Sequence, residues 1–260
     1  MKSPRFLVLR GGALGDMIVT LPVFAAPRRH WPDAYLELVC YPRYGRLARL
    51  GGLIDGLSSL DEARIARFFA WQPAFDDAQR RHISSFDLVI SFLHNTDGTV
   101  AENLRAAGAP QVISHSPLVT TRHAADHFLS ALETLAIYES GQAPTLVVPP
   151  AWRARGQAAL AALAPQGPAL IIHPGSGSPA KNWPLAHFLT LYDLARAAQR
   201  QPIFLFGEAD AACATAVAQA RPDAPQIRDE PLEQVAALLA AGPTYVGNDS
   251  GISHLAAALG

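Results

Sequence analysis

No apolar run in this 260-residue sequence approaches the roughly 18 residues that a membrane-spanning helix needs. The N-terminus, MKSPRFLVLRGG, has a short apolar stretch of strand type, without the long apolar segment and small-residue cleavage site of a secretory signal. A cytoplasmic location is expected. An excess of either charge is also missing, since 21 Lys and Arg face 22 Asp and Glu, for a net charge of −1. That balance does not indicate bulk attraction to nucleic acid, and no such partner is expected. Cysteine is scarce, and Cys40 and Cys213 stand far apart in apolar or Ala-rich segments, the pattern of buried or inert thiols. No acidic pair or His/Cys cluster has metal-site spacing, so no metal is expected. Lysine is equally scarce: of the 21 basic residues Lys2 and Lys181 are the only two, which makes a lysine inside the chain conspicuous.

What is present is globular, with 50% hydrophobic and 17% charged residues on a length that can bury one large core or two modest ones. Short apolar runs alternate with helical patterns throughout. Strands are expected at 6–9, 36–40, 87–92 and, more weakly, 111–113, with helices over about 16–29, 61–82 and 124–137. Pro144 and Pro149-Pro150 punctuate the chain where the pattern restarts, suggesting a linker and domains at 1–148 and 149–260. Beyond it come a helix at about 151–163, a strand at 169–172, a helix near 184–199, and strands at 203–206, 226–228 and 244–246 with helices between them. This order argues for an α/β protein with two parallel sheets covered on both faces. A final helix should begin at 252–259, yet Gly260 ends it after about two turns. Four strands is thin for such a sheet, so the second domain is expected to be incomplete.

In parallel sheets ligands gather where strand ends meet helix starts. The first such loop, Arg10-Gly11-Gly12-Ala13-Leu14-Gly15-Asp16, is not the dinucleotide fingerprint, because Arg10 stands two places before Gly12. No Walker-type GxxxxGK[ST] occurs either. Asp16 reads as a helix N-cap or, with glycines permitting close approach, as a carboxylate that takes a proton from an attacking hydroxyl. The loop from His173 to Pro184 offers Ser176 and other hydroxyls, backbone N–H groups and the ammonium of Lys181 to phosphate oxygens. In Gly247-Asn248-Asp249-Ser250-Gly251-Ile252-Ser253-His254 a helix start again follows a strand, and N–H groups near Ser250 and Gly251 suit a pyrophosphate. His254 lies one turn on, either facing the same anion or packed. Asp249 would repel a phosphate, so it is assigned to sugar hydroxyls or to the turn. Glu208, after the 203–206 strand, is placed for ribose hydroxyls or for capping a helix. Arg43, Arg46, Arg49, Arg122 and His123 either meet acceptor phosphates or are simply solvated.

Three of these segments, Gly15 to Pro22, His173 to Pro184 and Gly247 to Leu255, together resemble the heptosyltransferase family of bacterial lipopolysaccharide assembly, glycosyltransferase family 9. The resemblance implies a GT-B architecture: two Rossmann-like domains facing a cleft, the first receiving acceptor and the second holding an ADP-sugar. It implies an inverting, metal-independent transferase with no cofactor, because the ADP-sugar is a substrate. It matches Asp16 to the family's catalytic base, and Lys181, Asp249, Ser250, Gly251 and His254 to donor-binding positions, with Glu208 as a further match. The donor would be ADP-heptose or a similar ADP-sugar, and the acceptor a lipopolysaccharide core, with peripheral contact at the inner membrane. Two alternatives share the fold: a nucleotide-sugar epimerase or hydrolase, and a non-catalytic nucleotide-binding module.

Overall fold

Alternating apolar runs and helical stretches build two units, Met1–Pro144 and Thr145–Gly260. A computed structural model describes residues 3–94 and 97–260, Pro179 by its backbone alone, and leaves Lys2 outside the described residues. The division falls within the stretch punctuated by Pro144, Pro149 and Pro150, and Pro150 opens a helix as its first residue. There the missing N–H of proline costs nothing.

The first unit runs β1 (Arg5–Arg10), α1 (Leu14–His30), β2 (Tyr35–Cys40), α2 (Pro42–Leu50), β3 (Gly56–Ser59), α3 (Ala63–Ala66), α4 (Asp77–Ile83), β4 (Leu88–Phe92), α5 (Thr99–Ala106), β5 (Val112–Ser114) and α6 (Ala124–Leu129). Its sheet is parallel, in the order β3-β2-β1-β4-β5. The chain leaves β1 for one side of the sheet and later returns to β4 on the other. The loop after β1 therefore sits where the strand order reverses, the usual ligand position in such sheets. Helix α1 is apolar nearly all round, with Met17, Ile18, Leu21, Val23 and Phe24 buried, and it packs against α2 and α6. A helix of that kind belongs inside a protein, and it gives its first turn a rigid base.

One continuous helix over 61–82 does not form. The segment breaks into α3, a 3-10 turn at Arg67–Phe69 and α4. Pro73 lies in the gap and cannot donate a helical hydrogen bond, while Asp76 restarts the chain by accepting from the Gln79 N–H at 2.8 Å. The expected helix at 124–137 likewise tightens after Leu129 into a 3-10 stretch, Ser130–Leu135. Helices α2 and α5 and strand β3 are additions to the expected pattern. The Gly-Leu-Ser-Ser of β3 has little strand preference and is held at the sheet edge by pairing with β2.

The second unit runs α7 (Pro150–Leu163), β6 (Ala169–His173), α8 (Leu185–Ala197), β7 (Gln201–Phe206), α9 (Ala211–Ala220), β8 (Gln226–Arg228), α10 (Leu232–Ala240), β9 (Thr244–Gly247) and α11 (Gly251–Leu259). Its parallel sheet has the order β8-β7-β6-β9, so the loops after β6, β7 and β9 emerge side by side. Its core joins Leu170, Ile172 and Phe204 of the sheet to Phe188 and Tyr192 of α8 and Val217 of α9. Cys40 and Cys213 are both free, and burial pushes the Cys40 thiol up to about 12 and the Cys213 thiol in the same direction. Among the described residues, no helix is long and apolar enough to cross a membrane.

Candidate functional site

The turn after β1 is shaped around one carboxylate. Gly12 has φ +93°, and a Cβ there would lie 2.5 Å from Asp16 Oδ2, so the backbone folds over Asp16 as only glycine allows. Ala13 is the N-cap of α1 and Asp16 stands at the third helical position. The N-cap reading of Asp16 is thus corrected: the cap lies three residues earlier, at Ala13, and the carboxylate reaches back to it. Its Oδ2 accepts from the Ala13 N–H at 2.8 Å, and its Oδ1 from Arg10 Nη2 at 3.1 Å. The Asp16 side chain remains 46% exposed, whereas Arg10 is 2% exposed. Each carboxylate oxygen keeps a free lone pair, so the group can still accept a proton from a bound hydroxyl. Burial draws the Arg10 pKa down, and the neighbouring Asp16 charge opposes that shift.

At the carboxyl end of the second sheet, the loops after β6 and β9 meet through charge. Lys181 Nζ lies 2.6 Å from Asp249 Oδ2, and His254 Nε2 is 3.7 Å from Asp249 Oδ1. The hydrogen bond and charge of Lys181 hold the Asp249 carboxyl below its usual range, with a smaller push from His254. Asp249, expected to serve sugar hydroxyls or the turn, is thus the ion-pair partner of Lys181. Ser250 is the N-cap of α11, and its Oγ accepts from the Ser253 N–H. Gly251 and Ile252 follow as the first two helical residues, whose N–H groups have no acceptor within a helix. An exposed ammonium and an exposed imidazole are therefore gathered on Asp249, beside an open helix start.

Asn248 is the residue here that the sequence reading passed over. It is buried, accepts from the Trp183 N–H at 3.0 Å and donates Nδ2 to the Pro174 carbonyl at 2.7 Å and to Asn182 Oδ1 at 3.3 Å. The side chain clasps the Lys181 loop to the start of α11. An amide lodged between Gly247 and Asp249 was the available signal, since a primary amide can both donate and accept.

Ser176 spends its hydroxyl within its own turn, donating to the Ser178 carbonyl at 2.7 Å and accepting from the Ser178 N–H at 3.1 Å. Glu208 opens a 3-10 turn after β7 and is exposed, while Asp210, not Glu208, caps that turn by accepting from the Gly207 N–H at 2.9 Å. The Asp210 carboxylate also packs against Gly175, where a Cβ would lie 2.0 Å from it, so the loops after β6 and β7 touch. A recess of about 600 Å³ opens on the free side of β9, and its walls include Asn248, Asp249 and Ser253.

The arginines expected near an acceptor are scattered. Arg43 and Arg46 are exposed on α2, with the Arg43 guanidinium 4.6 Å from the Tyr44 ring centroid, and Arg49 donates to the Asp55 carbonyl. Arg122 pairs with Glu133 at 3.6 Å, and His123 is the exposed N-cap of α6. Among the described residues, no three His, Cys, Asp or Glu side chains group as metal ligands do.

The sequence profile of Glycosyltransferase family 9 (heptosyltransferase) matches residues 125–260, more than half of the chain. No curated protein matches by sequence. A glycosyl transferase family 9 structure from Veillonella parvula aligns with TM-score 0.79 at 23% identity, over 99% of this chain and 78% of that one. The E. coli ADP-heptose lps heptosyltransferase II aligns with TM-score 0.78 at 17% identity, over 98% and 82%. The E. coli heptosyltransferase WaaC with ADP-2-deoxy-2-fluoro heptose aligns with TM-score 0.69 at 18% identity, over 98% and 86%. At such identities the likeness is one of fold, the two parallel-sheet α/β units of GT-B glycosyltransferases.

Proposed function

The chain belongs to glycosyltransferase family 9, the heptosyltransferases, and from that premise we propose that it moves heptose from ADP-heptose to a hydroxyl of a lipopolysaccharide core. The observation that carries the reading is Lys181 resting on Asp249 at the first turn of α11. Asp249 neutralises the lysine. A diphosphate offers Lys181 and His254 a stronger anionic partner and meets the N–H groups of Gly251 and Ile252 at the positive end of the helix. Asp249, released, turns to hydroxyls of the donor, as does Glu208 at the neighbouring strand end. Ser176 shapes the Lys181 loop. The choice of ADP-heptose follows the E. coli relative that holds an ADP-heptose analogue.

In the proposed reaction the acceptor hydroxyl gives its proton to Asp16 while its oxygen bonds the anomeric carbon. The bond from that carbon to the diphosphate oxygen breaks, and the electron pair leaves with ADP. One displacement inverts the anomeric configuration. Lys181 and the α11 N–H groups stabilise the charge growing on the leaving phosphate, about 3–4 kcal/mol for each well-aimed donor, with no metal ion required. Proton removal by Asp16 contributes roughly 10²–10⁴-fold. Arg43, Arg46, Arg122 and His123 are assigned to acceptor phosphates. A lipid-linked acceptor would bring the protein to the cytoplasmic face of the inner membrane.

Two variants separate these roles. Asp16→Asn should lower turnover about 100-fold or more while ADP binds as to the wild type. Lys181→Ala should weaken ADP binding about tenfold or more in a calorimetric titration. Failure of the wild-type chain to transfer heptose from ADP-heptose to heptose-deficient lipopolysaccharide would sink the substrate assignment. Unchanged ADP affinity in Lys181→Ala would remove the phosphate role.

A further inference from the structure

We infer that Arg10 is the positioning residue for Asp16, a buried guanidinium that fixes the direction in which the carboxylate accepts a proton. The inference rests on the reading of Asp16 as the base. Arg10 ends β1, stands opposite Phe92 of β4 in the sheet register, and is 2% exposed. A guanidinium withdrawn from water is tolerated only when paired and hydrogen-bonded. Among the described residues its one ion pair is with Asp16.

The other contacts of Arg10 hold it still. Its Nε donates to Thr20 Oγ1 at 2.9 Å, and the Thr20 hydroxyl donates in turn to the Asp16 carbonyl at 2.7 Å. Its guanidinium carbon lies 4.5 Å from the centroid of the Phe128 ring. Thr20 and Phe128 are themselves buried, at 0% and 1% exposure. One edge and one face of the guanidinium are thus held by buried neighbours, and Nη2 is aimed at Asp16.

The terminal torsion of an aspartate is broad and intrinsically permissive. Here it is pinned from both sides, by Arg10 on Oδ1 and by the Ala13 N–H on Oδ2. A merely structural demand would not call for this arrangement. A half-exposed carboxylate in the first turn of a helix is already stabilised by the helix dipole and the cap N–H. An apolar side chain between β1, α1 and α6 would fill the space without the desolvation penalty. What Arg10 adds is direction, and direction matters to a base that must meet a hydroxyl proton within hydrogen-bond reach.

The test measures transfer from ADP-heptose to heptose-deficient lipopolysaccharide in the full chain, with thermal melting as the control for folding. Arg10→Met should lower kcat about 100-fold while leaving KM for both substrates within about twofold, because geometry and not binding is lost. Arg10→Lys, which restores the charge without the fork, should recover about tenfold of that loss. Thr20→Val, which removes only the clamp on Nε, should lower kcat about fivefold. In an Asp16→Asn background, Arg10→Met should bring no further fall in kcat, since the two residues act as one unit.

A folded Arg10→Met with wild-type kcat, or losses that multiply in the double variant, overturns the inference. Where Arg10→Met does not fold, Thr20→Val and Arg10→Lys decide, and wild-type kcat in both overturns it. Asp16→Asn with wild-type kcat overturns the base reading and this inference with it. An inactive Asp16→Asn beside fully active Arg10 and Thr20 variants overturns this inference alone.

Discussion

Gly12 controls the approach of the backbone to Asp16, and one added carbon tests how tightly that turn is set. Its positive φ strains any other residue, and a Cβ would strike the carboxylate. Gly12→Ala should therefore cost about 1–3 kcal/mol in a urea unfolding curve, the usual range for a residue forced into such a conformation. Turnover should fall more than ADP affinity, because the displaced group is Asp16 and not the donor loops. Native stability together with native turnover would contradict the turn described here. Asp16, Lys181 and His254 could be singled out as residues because each is an ionisable group where a strand hands over to a helix. Their partners could not. Arg10 was legible only as a departure from a dinucleotide motif, and nothing in the sequence paired Lys181 with Asp249. Their contact joins positions 68 residues distant in the chain, which no local pattern encodes.

Strand β2 carries a buried glutamate, and this element has its own pH dependence. Burial alone would raise the Glu37 pKa. The hydrogen bond and charge of His82 on α4, then the hydroxyls of Ser58 on β3 and Tyr35, outweigh burial and leave it below its ordinary range. A carboxyl depressed in the folded state stabilises the fold at pH above its unfolded-state pKa of about 4.3, and that stability is lost as pH falls through the folded value. Unfolding free energy should thus drop on acidification below about pH 4.3, and Glu37→Gln should flatten that limb. An identical acid slope in the variant would show that Glu37 is not its source. The same stretch shows where element reading stops. Helical periodicity over 61–82 was real, but Pro73 and the capping carboxylate of Asp76 divided it, and a local breaker overrides a periodic pattern.

At the scale of the molecule, every residue assigned to the donor lies in Thr145–Gly260, a unit with its own sheet and core. Residues 145–260 produced alone should bind ADP within about tenfold of the full chain, as a unit able to fold by itself would. Lys181→Ala should weaken that binding too. A folded segment giving no ADP heat in calorimetry would place donor recognition outside this unit. The sequence by itself determined the α/β class, the parallel sheets, the loops that carry chemistry and the resemblance to a transferase family. Those properties depend on side-chain period, on glycine and proline, and on short motifs, all local along the chain. Only the tertiary structure decided the strand orders, the clasp of Asn248, the pairing of Lys181 with Asp249 and the burial of Arg10 against Phe128. These are contacts between distant segments, set by how close-packed elements fill space, and no pattern within a single segment specifies them.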